Sequence, residues 1–111
     1  MSTTRIDEII EYLTNNGLAP EDFERNNISA CLNYDSYYID IDLIGSELNT
    51  EFLAPLDRHT GFGQSCVNFI NSFTTDWEIY EGYLKIRFNT KDKQNLLDTL
   101  ERCIARFVRG E

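Results

Sequence analysis

The chain has 111 residues, of which 41% are hydrophobic and 13% aromatic, so it fits one folded domain over residues 1–111 and is too apolar for disorder. The formal net charge is −9, and residues 1–60 carry the whole excess because residues 61–111 hold equal numbers of acids and bases. Such a surface repels nucleic acids and anionic membranes, and it would attract a basic protein partner or imitate DNA. Acidity that merely keeps a small protein soluble is the simpler interpretation. The expected partner is a protein, either a client polypeptide or a basic target.

The termini and the cysteines indicate a reduced intracellular protein. The first residues lack the apolar stretch of a secretory signal, and no apolar run approaches the ~20 residues that a transmembrane helix needs. We therefore expect a cytoplasmic location. Cys31, Cys66 and Cys103 are widely spaced and form no Cys-x-x-Cys pair, so we expect them to be buried reduced thiols.

The first half of the chain is predicted to form one helix and three strands. The helix covers about residues 3–16, and residues 18–27 are a polar connection. Strands follow over about 28–33, 36–44 and 51–56. The second of these strands alternates in polarity, as a half-buried strand does: one face carries Tyr37, Ile39, Ile41 and Leu43, and the other carries Tyr38, Asp40 and Asp42.

The second half is predicted to contain two helices around a hairpin. The elements in chain order are a helix over about 64–73, strands over about 76–80 and 83–88 joined at Glu81-Gly82, and a helix over about 91–108 capped by Thr90.

The order α-β-β-β-α-β-β-α predicts an α+β fold with a single antiparallel sheet. Strands in consecutive hairpins pair antiparallel, and amphipathic helices must cover a sheet face. The first and last helices are expected to pack on the sheet. The predicted core contains Ile6, Ile10, Ile41, Trp77, Ile86, Leu100 and Phe107.

The sequence offers two weak candidates for chemistry. His59, the single histidine, could pair with Cys66 as a base and a nucleophile, but a polar loop histidine beside a buried cysteine is the simpler interpretation. Asp40 and Asp42 project from one strand face and could bind a cation, but no further ligand lies at a suitable spacing and a solvated strand face explains them equally. We expect no catalytic residue, no metal, no cofactor and no enzymatic activity.

The order of elements in a small acidic chain resembles the class I type III secretion chaperones and the structurally related YbjN-like proteins. The segment 28–41 is similar to the first hairpin of that family, 67–73 to its central helix, 80–86 to its late hairpin, and 96–100 to its closing helix. The resemblance is one of pattern. The second helix is shorter than in the family, and the chain ends soon after the third helix.

The resemblance implies a non-enzymatic, homodimeric chaperone that binds a client polypeptide. Tyrosine and tryptophan are favoured in binding surfaces, and a domain of this size cannot bury all of its aromatic residues. The expected client-binding residues are Tyr37, Tyr38, Asp40, Asp42, Phe52 and Leu53. The expected dimer interface, through the second helix and the fourth predicted strand, contains Cys66, Phe69, Ile70, Phe73 and Trp77.

A second interpretation belongs to a different class of proteins. The uneven acidity also suits a stoichiometric inhibitor, such as a toxin immunity protein or a phage-type anti-defence protein, which could act as a nucleic-acid mimic. A chaperone would retain an unfolded client segment, whereas an inhibitor would bind a folded basic protein with strong salt dependence.

Overall fold

The structure, a computed structural model, describes residues 4–56 and 61–111 and has an α+β fold with one antiparallel sheet, as predicted. The elements of these residues in chain order are α1 (Arg5–Asn15), β1 (Asp22–Arg25), β2 (Ser29–Asn33), β3 (Tyr38–Ile44), β4 (Glu47–Pro55), α2 (Gln64–Asn71), β5 (Trp77–Tyr80), β6 (Tyr83–Thr90) and α3 (Lys93–Phe107). The spatial order of the six strands is β1-β2-β3-β4-β6-β5.

The helices lie on one face of the sheet. Buried residues therefore alternate with exposed ones along the central strands. In β3, Ile39 and Ile41 are buried while Tyr38, Asp40 and Asp42 are exposed, as the alternation predicts. The apolar stripe of α3 packs across β4 and β6, and α1 packs beside α3. The buried apolar strand residues on the helix side are Ala30, Leu32, Ile39, Ile41, Leu48, Phe52, Ala54, Leu84, Ile86 and Phe88.

The predicted core is confirmed at six of its seven positions. Ile6, Ile10, Ile41, Ile86, Leu100 and Phe107 are buried. Trp77 is only half-buried, because β5 is an edge strand and the indole packs on the rim of the core beside Phe62, with the ring centroids 5.6 Å apart. The indole Nε1–H donates a hydrogen bond to the side-chain oxygen of Asn71 at 3.0 Å.

The predicted polar connection over residues 18–27 contains a strand, β1, so the predicted strand order is wrong at this point. All four residues of β1 are exposed, and therefore its sequence shows no apolar alternation. Backbone pairing with β2 holds it at the sheet edge, in register from Asp22 opposite Asn33 to Arg25 opposite Ala30. An ion pair of 2.7 Å between Arg25 Nε and Asp7 Oδ1 links β1 to α1.

The strand β4 begins earlier than the predicted start at residue 51. Gly45 and Ser46 form a two-residue turn, because Ile44 and Glu47 are already paired across it. Gly45 has φ 62°, the left-handed conformation that glycine adopts at no steric cost. The turn therefore joins β3 directly to β4 as a hairpin instead of ending the sheet.

Helix ends follow local capping chemistry. Thr4 and Asp7 form a capping box at the start of α1, with the Asp7 N–H donating to Thr4 Oγ1 at 3.1 Å. Asp92, not the predicted Thr90, caps α3: its Oδ1 accepts from the Asn95 N–H at 2.7 Å, while Thr90 is the buried last residue of β6. Within residues 4–56 and 61–111, no helix has both the length and the apolar composition required to span a bilayer.

Candidate protein-binding surface

Within residues 4–56 and 61–111, no helix covers the sheet face opposite α1, α2 and α3, and we call this face the open face. The strand register places alternate residues of all six strands on it. Its acidic members are Asp22, Glu24, Asp40, Asp42, Glu47, Glu51 and Glu78, with Asp76 just before β5. The basic residues of the strands on this face are Lys85 and Arg87. All seven acidic residues of the six strands therefore lie on the uncovered side of the sheet, against two basic residues.

The middle of the open face contains a depression of about 450 Å³, which we call the acidic depression. Asp40 and Asp42 of β3 line it beside Glu51 of β4 and Asp76. Asp40 stands directly opposite Glu51 in the β3–β4 register. Like charges in directly opposite cross-strand positions repel each other and cost stability.

Arg87 of β6 neutralises part of this repulsion. Its guanidinium contacts three carboxylates: Nε is 2.9 Å from Glu51 Oε2, Nη2 is 3.1 Å from Glu78 Oε1, and Nη1 is 3.3 Å from Asp76 Oδ1. The hydrogen bond that Arg87 donates to Glu78 is the main cause that raises the pKa of Arg87, so this cation stays charged. Asp40 and Asp42 have no ion pair with any residue of the two described ranges.

One end of the open face is aromatic, and we call Tyr38, Leu53, Tyr80 and Tyr83 the tyrosine patch. The register brings them together: Tyr38 pairs with Leu53 across β3–β4, and Tyr80 pairs with Tyr83 across β5–β6. They surround a depression of about 320 Å³. The exposed fractions of the three tyrosines are 45%, 58% and 41% in chain order. Lys85 lies at the border, with its Nζ 5.4 Å from the centroid of the Tyr80 ring.

The predicted client-binding residues lie on two different faces. Tyr38, Asp40, Asp42 and Leu53 are on the open face, which places them side by side. Tyr37 and Phe52 are buried on the helix side, and this corrects their prediction as surface residues. Tyr37 stacks on Tyr34 with ring centroids 4.6 Å apart, and Phe52 is fully buried opposite Ile39 and Ile86.

The predicted dimer residues are largely engaged within the chain. Cys66 and Ile70 of α2 are buried in the core, and Phe69, Phe73 and Trp77 are half-buried against it. Phe69 packs edge-on against Phe107, with 5.9 Å between the ring centroids. These contacts reduce the apolar surface that α2 can offer to a second copy. The homodimer itself stays a prediction.

The candidates for chemistry do not form a site in the described residues. His59 lies outside those residues, and the Cys66 Sγ is buried and donates to the Gly61 carbonyl oxygen at 3.4 Å. Across positions 4–56 and 61–111, no group of three or more His, Cys, Asp or Glu residues could hold a metal ion. Burial raises the pKa of the Cys103 thiol to about 12.

Cys31 departs from the predicted burial of all three thiols, since it is exposed on the open face. Its pKa is raised, first by partial desolvation and then by its hydrogen bond and charge interaction with Asp40. The thiol is therefore protonated at neutral pH, which is the unreactive form.

The sequence pattern also allows Tyr83 an interface role, but it does not single out four other residues of the open face and its edge, namely Glu51, Asp76, Lys85 and Arg87. The outward side of the late hairpin was visible as the polar alternation of Tyr83, Lys85 and Arg87. They lie near Asp40 and Asp42 because β4 pairs with β6 and not with β5, the next strand along the chain. No local sequence pattern indicates this pairing.

Comparison with protein-family models, with curated proteins and with solved structures gives no match.

Proposed function

We propose that this chain is a non-enzymatic protein-binding domain whose open face receives a basic protein. One observation supports the proposal above the others: the acidic residues of the strands converge on the face that no helix covers, around Asp40 and Asp42. A positive surface docked there would gain long-range attraction and speed its own association. Arg87 already supplies a cation to this face and contacts Glu51, Asp76 and Glu78 but not Asp40 or Asp42.

The opposition of Asp40 and Glu51 strengthens this proposal. Folding alone disfavours two carboxylates in directly opposite positions on neighbouring strands. A neutral or basic residue at position 40 would serve the sheet better. A requirement to bind cationic groups explains why a carboxylate occupies this position, since natural proteins accept local instability at functional sites.

The character of the open face favours a stoichiometric inhibitor of a folded basic protein over a chaperone for unfolded segments. A client-wrapping chaperone gains affinity from apolar burial, yet Tyr37 and Phe52 lie in the core. Outside the tyrosine patch, the charged residues of the open face are mainly carboxylates. Basic proteins with such complementary surfaces are commonly nucleic-acid-binding, so the proposed domain would occupy a phosphate-binding surface, as an immunity or anti-defence protein would.

A capture experiment with matched charge variants tests the proposal. The immobilised protein is exposed to an extract of its source cells at low ionic strength, and bound proteins are identified by mass spectrometry. We expect a basic protein to be captured by the natural chain and lost with the double variant Asp40→Asn/Asp42→Asn. The control Asp98→Asn/Glu101→Gln makes the same change in net charge on the exposed side of α3 and should retain the partner.

The state of the captured partner separates the two interpretations. An inhibitor binds the folded partner, with affinity that falls steeply as salt rises. A secretion-chaperone-like homodimer binds an unfolded segment of it, with affinity that depends mainly on apolar contacts. Equal capture by both double variants would contradict the assignment of binding to the open face.

A further inference from the structure

The tyrosine patch on the open face is exposed, although burying it would be favourable. Tyr38, Tyr80 and Tyr83 are partly exposed around Leu53, next to the acidic depression. A binding surface with charges alone would be sensitive to salt and weakly selective. Exposed aromatic rings beside carboxylates add contacts that recognise the shape of the cation as well as its charge.

We propose that the tyrosine patch receives arginine side chains of the basic partner; this inference rests on the proposed function. A guanidinium is planar and weakly hydrated, and it stacks on aromatic rings better than an ammonium does. The patch offers exposed aromatic rings, and Glu81 in the turn between β5 and β6 places a carboxylate at its rim. Glu81 has φ 51°, so the tight turn holds this rim residue in a left-handed conformation.

One cation of the chain already lies over a ring of the tyrosine patch. The Lys85 Nζ lies 5.4 Å from the Tyr80 ring centroid, within the range of a cation–π interaction. An arriving arginine can stack on the tyrosine rings that Lys85 does not cover, or displace its ammonium. Charge complementarity therefore selects a cationic group as the occupant of the patch, and ring geometry selects arginine over lysine.

Two short capped peptides provide the probes, one with alternating glycine and arginine and one with alternating glycine and lysine. Each is titrated into the protein while NMR follows the tyrosine ring signals and the backbone amides. We expect the arginine peptide to bind several-fold more tightly and to shift the signals of Tyr80 and Tyr83. Each substitution Tyr80→Leu or Tyr83→Leu should weaken arginine-peptide binding about two- to five-fold, which corresponds to one exposed cation–π contact.

Two control variants separate the aromatic contribution from the charge contribution. Tyr12 also has a lysine over its ring, with the Lys93 Nζ 4.9 Å from the centroid, but it lies on α1. Tyr12→Leu should leave both affinities unchanged. Asp40→Asn/Asp42→Asn should weaken both peptides alike and reduce the salt dependence, while the preference for arginine remains.

Other outcomes overturn the inference in distinguishable ways. If both peptides bind equally and the tyrosine variants have no effect, the arginine assignment fails and the proposed function stands. If neither peptide binds at low salt, the cation-binding role of the open face fails as well. If the tyrosine signals shift with protein concentration and no peptide, the occupant of the patch is a second copy of this chain.

Discussion

Asp40 is the residue at which the proposed binding function and the stability of the sheet conflict. It stands opposite Glu51 across β3 and β4, and like charges in that position repel. We therefore expect Asp40→Asn to raise the free energy of unfolding by about 0.5 kcal/mol, measured by urea denaturation at low salt. Asp98→Asn, at an exposed position of α3, is the control and should give no gain. A loss of stability in Asp40→Asn would show that this carboxylate supports the fold.

Tyr34 stabilises the fold through both its hydroxyl group and its ring. Its hydroxyl donates to the Leu18 carbonyl oxygen at 2.9 Å, and its ring stacks on Tyr37. Tyr34→Phe should lower the free energy of unfolding at pH 7 by about 1 kcal/mol, the typical net value of one hydrogen bond.

The same tyrosine contributes to alkaline destabilisation. Burial raises the pKa values of Tyr34 and Tyr37 above their ordinary 10.0, and that of Cys103 above 9.0. The unfolded chain therefore loses these protons at lower pH than the folded chain. The contribution of the three groups to the free energy of unfolding is fully present below pH 9.0 and falls as pH rises towards 12. Urea denaturation across this range should show a shallower decline in Tyr34→Phe; an identical decline would contradict the role of its hydroxyl.

The ion pairs of Arg87 link the edge strand β5 to the neighbouring strands. Its contacts to Glu51, Asp76 and Glu78 connect β4, β6 and the start of β5. We expect Arg87→Gln to cost only about 1 kcal/mol of global stability, because exposed ion pairs contribute little. Hydrogen exchange of the β5 amides should accelerate much more than that of β3. Equal acceleration in both strands would indicate global unfolding instead of local loosening.

Elements with a strong period were predictable from the sequence, and elements without one were not. The alternation of β3 assigned both faces of that strand correctly, since Ile39 and Ile41 are buried and Asp40 is exposed. The strand β1 is fully exposed, so backbone pairing defines it and no side-chain pattern reveals it.

The candidate binding surface was predictable only in part, because it also depends on contacts between distant parts of the chain. Phe52 and Leu53 are adjacent and both apolar, so the local sequence cannot say which of them faces the core. Pairing with Ile39 and Ile86 settles that Phe52 does. The late residues of the open face depend on the pairing of β4 with β6, a long-range contact that no local pattern encodes.

At the scale of the whole molecule, the homodimer predicted through α2 and β5 is open to direct measurement. Ile79 of β5 is 47% exposed on the helix side of the sheet edge, so such a dimer would leave the open face free. Light scattering at micromolar concentration should give twice the monomer mass of 12.9 kDa. Ile79→Glu should give a monomer without disturbing the core. A monomer mass for the unsubstituted chain would contradict the predicted homodimer.

The proposed function predicts that a basic protein binds the uncovered acidic side of the sheet. Carboxylate footprinting tests it most directly: carbodiimide labels accessible Asp and Glu side chains, and mass spectrometry compares the free chain with its complex with the captured partner. We expect Asp40, Asp42 and Asp76 to lose labelling in the complex, while Glu11, Asp98 and Glu101 on the exposed sides of α1 and α3 keep theirs. Protection of the helix carboxylates, with unchanged labelling of Asp40 and Asp42, would contradict the claim.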